Sequence, residues 1–270
     1  MSLVTTDWLE SNLDKVKIID CSWHMPNVKR NPYEEYLQGH IPGAIFFDLD
    51  KNSDLNTDLP HMLPDQITWS NIISSLGISN NDRIVIYDDS DVFSSCRCWY
   101  NFIYFGHDPN LVNVLDGGLK KWREEKKIII NDKTKISKSE YKSQENKKLV
   151  KNKNQIDANI NKNEFVVIDA RSKERFDGTV PDPRKNVRSG SIPNSLCLPY
   201  KEIINENNTF KNTSEISKKF NKIINPNNKN RVFSCGSGVT ACVLALAYSL
   251  VNNKYSPTIY DGSWAEYGKI

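Results

Sequence analysis

The 270-residue chain repeats itself, because four segments of its first half recur in the same order in its second half. The matching pairs are VKIIDCSW (16–23) with FVVIDARS (165–172), GHIPGAIFFDL (39–49) with GSIPNSLCLPY (190–200), DRIVIYDD (82–89) with NRVFSCGS (230–237), and VNVLDGGLKKW (112–122) with PTIYDGSWAEY (257–267). The offset between partners stays within 145 to 151 positions. Four matches in one order predict a duplicated domain rather than a single large one.

Each copy alternates short β-branched runs with stretches of helical character. In the second copy, FVVIDAR, RVFSC and PTIYDG are typical of buried strands, whereas ISKKFNKII and GVTACVLALAYSL are typical of helices. Such alternation predicts an α/β fold, with two tandem domains that each contain a mainly parallel sheet flanked by helices. We place these domains at residues 1–126 and 156–270. A linker rich in Lys, Asn and Ser joins them at 127–155.

Composition and charge argue against several classes of partner. The formal net charge is only +3 and forms no basic stripe, so nucleic acid is not an expected partner. No apolar run reaches the roughly 20 residues that cross a bilayer, so no membrane association is expected. The first residues lack a signal-peptide pattern, which favours a cytoplasmic location. The six cysteines form no Cys-x-x-Cys pair, and we expect neither a disulfide framework nor a metal site.

One cysteine stands where a predicted strand meets a predicted helix. Cys235 follows RVFS at the carboxyl end of a strand, which is where open α/β sheets form their sites. Gly236 and Gly238 permit a tight turn, and the helix that begins near Val239 adds free N–H groups and the positive end of its dipole. Such a loop is an anion cradle and would favour a thiolate nucleophile. The loop alone also fits a buried structural thiol.

The sixth position after Cys235 separates two classes of cysteine enzyme. Cysteine phosphatases place an arginine there to hold the phosphoryl group, and this chain has Ala241. The segment CGSGVTA (235–241) instead resembles the active loop of the mercaptopyruvate sulfurtransferases of the rhodanese superfamily. Further segments resemble that family over nearly the whole chain: GHIPGAIFFDLD (39–50), HMLP (61–64), FGH (105–107), LDGGLKKW (115–122) and YDGSW (260–264).

The resemblance implies two rhodanese-like domains, of which only the second has a catalytic cysteine. The first domain has Tyr87 or Asp88 at the equivalent position. The branch that prefers thiosulfate typically has basic residues after the cysteine, where this chain has Gly236 and Ser237, so the resemblance favours 3-mercaptopyruvate as the sulfur donor. A thiosulfate:cyanide sulfurtransferase and a non-catalytic sulfur carrier or binding module are the alternatives.

The resemblance also implies the substrate ligands. Arg175 and Arg184 match the two family arginines that hold the substrate carboxylate and keto oxygen, a role that suits planar guanidinium groups. Without the resemblance, both could be surface arginines in ordinary ion pairs. The remaining predicted contacts come from the cysteine loop, namely Gly236, Gly238, Val239 and Thr240.

A proton relay is implied as well. His61 lies eleven residues after Asp50, which is the family spacing for a histidine and aspartate that reach the cysteine loop from the other domain. In the relay, Asp50 orients His61, His61 bonds Ser237, and Ser237 approaches the substrate thiol. The alternative is a histidine that only packs or caps at the interface.

The reaction implied by the resemblance is a double displacement. The Cys235 thiolate takes sulfur from the donor and becomes a persulfide, and an acceptor thiol such as thioredoxin, or cyanide, removes the outer sulfur. The chemistry is covalent and is expected to need no metal and no organic cofactor.

Overall fold

Each half of the chain folds around a five-stranded sheet in which every strand runs parallel to its neighbours. This computed structural model describes residues 2–224 and 230–270. The first unit contains Leu63–Asn146, Glu206–Thr209 and the chain up to Leu55. The second contains Asn56–Met62, Lys147–Asn205 and Phe210–Ile270 apart from 225–229.

The sheet of the first unit has the strand order β1-β5-β4-β2-β3. Its strands are Leu3–Val4 (β1), Lys17–Asp20 (β2), Ala44–Phe46 (β3), Ile84–Tyr87 (β4) and Val112–Leu115 (β5). Its helices are Thr6–Glu10 (α1), Pro32–Gln38 (α2), Gln66–Ser75 (α3), Ser95–Tyr104 (α4) and Gly118–Glu124 (α5). Strands β2, β4 and β5 are almost wholly buried, as expected when helices cover a parallel sheet.

The sheet of the second unit has the order β6-β10-β9-β7-β8, which repeats that of the first. Its strands are Val150–Lys151 (β6), Phe165–Asp169 (β7), Leu196–Cys197 (β8), Asn230–Ser234 (β9) and Ile259–Tyr260 (β10). Its helices are Lys153–Lys162 (α6), Lys173–Asp177 (α7), Thr213–Ile223 (α8), Val239–Val251 (α9) and Ser263–Tyr267 (α10), with 3₁₀ turns at Lys147–Leu149 and Tyr200–Ile203. The predicted fold class and duplication are confirmed.

The register of the central strands identifies the counterpart of Cys235. Asp20 of β2 lies opposite Tyr87 of β4, and Asp169 of β7 lies opposite Ser234 of β9. The next residue along β4 is Asp88, and the next residue along β9 is Cys235. Of the two positions that the sequence left open, the structure therefore selects Asp88.

Asp88 fills the turn before α4 with its own carboxylate. Its two oxygens accept hydrogen bonds from the backbone N–H groups of Ser90 and Ser95, at 3.2 and 2.6 Å. Burial nevertheless dominates and raises the pKa of Asp88 to about 6. The first unit thus places a buried carboxyl group where the second places a thiol.

The structure divides the chain differently from the predicted linker at 127–155. Residues up to Asn146 belong to the first unit, where Ile130 forms an antiparallel bridge with His40 and Tyr141 is buried. Residues from Lys147 belong to the second unit, where β6 pairs with β10. Backbone groups make much of the attachment of this stretch, and the predicted domain boundaries stay a prediction.

Helix α9 forms the most apolar layer of the second unit. Its buried side chains include Val243, Leu244 and Leu246, which lie behind the sheet that presents Cys235. The helix has 13 residues, and nowhere in residues 2–224 and 230–270 is there a helix with both the length and the apolar character needed to cross a membrane.

Trp69 provides a test of the packing in the first unit. It is completely buried, and its ring lies 4.8 Å from Phe105, 5.3 Å from Phe102 and 5.8 Å from Phe47, measured between centroids. Because Trp69→Ala leaves a cavity among these rings, we expect it to lower the free energy of unfolding by about 3–5 kcal/mol in chemical denaturation. Ile67→Ala, two residues earlier at a position 73% exposed, should stay within about 0.5 kcal/mol of the wild type. Equal losses in the two variants would contradict the assigned core.

Candidate active site

Cys235 lies at the point where β9 ends and the chain turns into α9. The residue is 2% exposed, and the turn from Cys235 to Val239 is buried throughout. Gly238 makes the turn possible, because its φ of +78° is a left-handed conformation that side chains disfavour. The predicted strand–loop–helix arrangement is therefore present.

Several backbone N–H groups of this turn have no hydrogen-bond acceptor within the described residues. Among the residues that the structure describes, no protein acceptor takes the N–H groups of Gly236, Ser237, Val239 and Thr240. The first amides of any helix lack an acceptor within the helix, yet buried amides without any acceptor are rare in proteins. A group of them at a helix N-terminus next to a thiol is suited to an anion.

A second segment holds the cysteine in place. The Oγ atom of Ser263 accepts the Cys235 N–H at 3.1 Å and donates to the carbonyl of Tyr260 at 2.8 Å. The N–H groups of Trp264 and Ala265 donate to the carbonyls of Cys235 and Gly236 at 3.0 and 2.9 Å. Ser263 itself has a φ of +49°, uncommon for a residue with a side chain. Sequence reasoning missed Ser263, although it lies in the YDGSW segment.

Both predicted substrate arginines lie against this turn. A Cβ atom placed on Gly236 would be 3.1 Å from Nη1 and Nη2 of Arg184 and 3.5 Å from Nη2 of Arg175. The absence of a side chain at Gly236 thus leaves room for two guanidinium groups beside the cysteine. The Nε of Arg175 is buried and has no acceptor within the described part of the chain. It is a donor suited to a ligand oxygen.

The two arginines share one carboxylate that the sequence analysis did not single out. Asp182 accepts from Nη2 of Arg175 at 2.7 Å, from the backbone N–H of Arg184 at 3.0 Å and from Nη1 of Arg184 at 3.4 Å. Burial alone would raise the pKa of Asp182, but the hydrogen bonds and charges of the two arginines outweigh it and hold the pKa below its usual value. The sequence signal was its position between the two arginines, in PDPR.

His61 meets the cysteine turn through Ser237. Its Nδ1 lies 3.0 Å from the Oγ of Ser237, and both residues are about 5% exposed. His61 has a φ of +61°, a conformation that a surrounding structure must hold in place. The sequence placed His61 in the first domain, but the structure groups Asn56–Met62 with the second unit. The predicted contact between His61 and Ser237 is therefore present, and the domain boundary stays a prediction.

Asp50 belongs to the first unit, where its carboxylate is bonded by a tryptophan. The Nε1 of Trp23 lies 3.0 Å from each carboxylate oxygen of Asp50. Its role in orienting His61 stays a prediction.

These groups allow one kind of chemistry above others. A buried thiol stands beside free amides, two guanidinium groups and an imidazole–hydroxyl pair. The amides and guanidinium groups can bind a small anion, while the imidazole can exchange a proton through Ser237. The arrangement fits nucleophilic attack by sulfur on a small anionic substrate.

Comparisons with known proteins agree with this geometry. Residues 5–125 and 152–269 both match the model of the rhodanese-like domain. The chain is 40% identical to "Thiosulfate/3-mercaptopyruvate sulfurtransferase 1, mitochondrial" of Arabidopsis thaliana, over 98% of this chain and 75% of the plant protein. It is 36% identical to the 3-mercaptopyruvate sulfurtransferase of Mus musculus, over 98% of this chain and 91% of the mouse protein.

A solved structure is similar over the same length. The crystal structure of SseA from Escherichia coli, titled as a 3-mercaptopyruvate sulfotransferase, superposes with a TM-score of 0.87 and 32% identity. The match covers 98% of this chain and 99% of the bacterial chain.

Ser263→Ala tests how firmly the turn is held. The variant leaves the buried Cys235 N–H and Tyr260 carbonyl without partners, so we expect the free energy of unfolding to fall by about 1–3 kcal/mol. Ser249→Ala is the control, because that hydroxyl only donates to a carbonyl within its own helix; it should change stability by less than about 0.5 kcal/mol. Denaturant titration of both variants measures the difference. No loss in Ser263→Ala would mean that this hydroxyl does not fix the turn.

Proposed function

This chain belongs to the rhodanese-like family, and from that premise we propose that it is a sulfurtransferase that moves sulfur from 3-mercaptopyruvate to a thiol or cyanide acceptor. The observation that supports this most directly is the pair of guanidinium groups of Arg175 and Arg184 packed against Gly236, the residue next to Cys235. Relatives called 3-mercaptopyruvate sulfurtransferases, similar over nearly the full chain, support the same reaction.

The donor would bind with its carboxylate on the arginines. The Nε of Arg175 is a buried donor without a protein acceptor, and the terminal nitrogens of Arg184 lie beside the turn. Planar guanidinium groups match the geometry of the carboxylate and the neighbouring keto oxygen. Binding there would place the donor sulfur, two carbons from the carboxylate, over Cys235.

The first step is attack by the Cys235 thiolate on the donor sulfur. A bond forms between Sγ and that sulfur while the carbon–sulfur bond of the donor breaks. The electron pair of the broken bond stays on carbon as the enolate of pyruvate, which then takes up a proton. The enzyme is left as a Cys235 persulfide beside the free amides of Gly236, Ser237, Val239 and Thr240, which can stabilise its negative charge.

Ser237 and His61 are the residues placed to handle protons. The hydroxyl of Ser237 can contact the donor thiol, and Nδ1 of His61 lies within hydrogen-bond distance of that hydroxyl. A proton can therefore leave the donor thiol and later return to the enolate through one pair of groups. In the second step an acceptor nucleophile attacks the outer sulfur and restores the Cys235 thiolate.

The acceptor and the location extend the proposal beyond the donor reaction. A small thiol or a dithiol protein such as thioredoxin would accept the outer sulfur, and the reaction as written needs no metal or organic cofactor. We propose a cytoplasmic location. The name of the plant relative places that protein in mitochondria, so the location stays a prediction.

Thiosulfate is the second candidate donor. The Arabidopsis relative is named for both thiosulfate and 3-mercaptopyruvate. We expect a kcat/KM at least about tenfold higher with 3-mercaptopyruvate, because a keto acid offers the arginine pair two oxygens in one plane. Steady-state assays with each donor and cyanide as acceptor decide this. A clear preference for thiosulfate would overturn the donor assignment, and no turnover with either would leave a sulfur carrier or binding module.

The covalent intermediate can be tested at a single sulfur atom. After incubation with 3-mercaptopyruvate and removal of small molecules, mass spectrometry should find one added sulfur, on the peptide that contains Cys235. Cys235→Ser should abolish both this adduct and turnover, since a hydroxyl is a far poorer nucleophile at neutral pH. Cys242→Ser is the matched control, because this buried thiol lies within α9 and donates to the carbonyl of Gly238. Loss of the adduct in the control alone would mean that the wrong thiol is assigned.

A further inference from the structure

We propose that Asp182 makes the donor site selective for monoanions over dianions; the inference rests on the proposed function and deepens it. Asp182 contacts Arg175 and Arg184 rather than the cysteine, so it is a positioning residue. Its effect would reach the substrate through the guanidinium groups that it holds. The donor named above has one carboxylate, whereas thiosulfate has two negative charges.

The geometry ties one carboxylate to both arginines. One oxygen of Asp182 bonds Arg175 at 2.7 Å, and the other bonds the Arg184 backbone N–H at 3.0 Å and its Nη1 at 3.4 Å. Both carboxylate oxygens are therefore in use. Pro181 and Pro183 flank the residue, and because proline fixes φ, they restrict the backbone that presents the carboxylate.

Burial strengthens the electrostatic interactions between Asp182 and the two arginines. The side chain of Asp182 is only 1% exposed, while those of Arg175 and Arg184 are 23% and 26% exposed. The carboxylate is thus hidden from water, and the arginines keep one open side. Charges in such a place are screened much less than charges at an exposed surface.

The balance of charges matches one kind of ligand. Counted without the Cys235 thiolate, the cluster of two guanidinium groups and one shared carboxylate has a single net positive charge. A ligand with one negative charge neutralises the cluster, whereas a dianion such as thiosulfate leaves an excess negative charge in a partly buried place, which is unfavourable. Without the carboxylate, the cluster would have two positive charges and would favour the dianion.

Asp182→Asn is the direct test. The substitution keeps the shape of the side chain and removes its charge. We expect the ratio of kcat/KM for thiosulfate to kcat/KM for 3-mercaptopyruvate to rise about tenfold, since the second charge of thiosulfate would then meet an uncompensated guanidinium. Asp177→Asn is the matched control: it removes the same charge from the neighbouring α7, where Asp177 is 39% exposed and pairs with Lys173. Its ratio should stay at the wild-type value.

The ratio of the two kcat/KM values distinguishes an effect of Asp182 on donor selectivity from a purely structural role. If Asp182 only supported the loop, both donors would lose activity in proportion and the ratio would not move. An unchanged ratio in Asp182→Asn, with a wild-type circular dichroism spectrum, overturns the inference. Asp182→Glu keeps the charge, and we expect it to keep the wild-type ratio even if both rates fall. A wild-type enzyme without turnover of 3-mercaptopyruvate would instead refute the proposed function itself.

A measurement on the unmodified protein covers the case in which Asp182→Asn does not fold. Pyruvate and oxalate are planar and similar in size, but pyruvate has one negative charge and oxalate has two. As competitive inhibitors against 3-mercaptopyruvate, pyruvate should bind the wild type about tenfold more tightly than oxalate does. Equal or tighter binding of oxalate would overturn the inference without any variant.

Discussion

The site depends on a turn of buried main chain that has more hydrogen-bond donors than acceptors. Two amides between β9 and α9 and the first two amides of α9 have no acceptor in the described residues, and a protein interior seldom leaves such groups unpaired. The turn keeps this shape because Ser263, Trp264 and Ala265 bind the backbone of Cys235 and Gly236 from the other side. A helix N-terminus fixed in this way can stabilise negative charge on a group bound beside it.

The glycine next to the cysteine connects this turn to substrate recognition. Because Gly236 has no side chain, two guanidinium groups from a distant segment can approach the turn. Asp182 then fixes both groups with a single buried carboxylate. The cysteine and the two arginines thus come from two stretches of chain that meet at one small residue.

The sequence predicted the fold and the centre of the site for clear physical reasons. Duplicated β-branched runs and a glycine-bearing turn are local patterns, and they predicted the parallel sheets and the turn at Cys235, whereas the arginines came from the family resemblance. The site residues that the sequence analysis did not identify are defined by contacts between residues that are distant in sequence. Ser263 and Asp182 are ordinary residues in composition, and only the structure shows which groups they bind.

The duplicated turn has a further consequence in the first unit. There the equivalent position holds Asp88, whose carboxylate accepts hydrogen bonds from the N–H of Ser90 in the turn and from the N–H of Ser95 at the start of α4. Because this carboxylate is part of the chain, it cannot leave, and the turn before α4 is occupied permanently. The second unit has Cys235 at that position, and several N–H groups of its turn have no protein acceptor among the described residues. They stay available to an anion that comes from outside the chain.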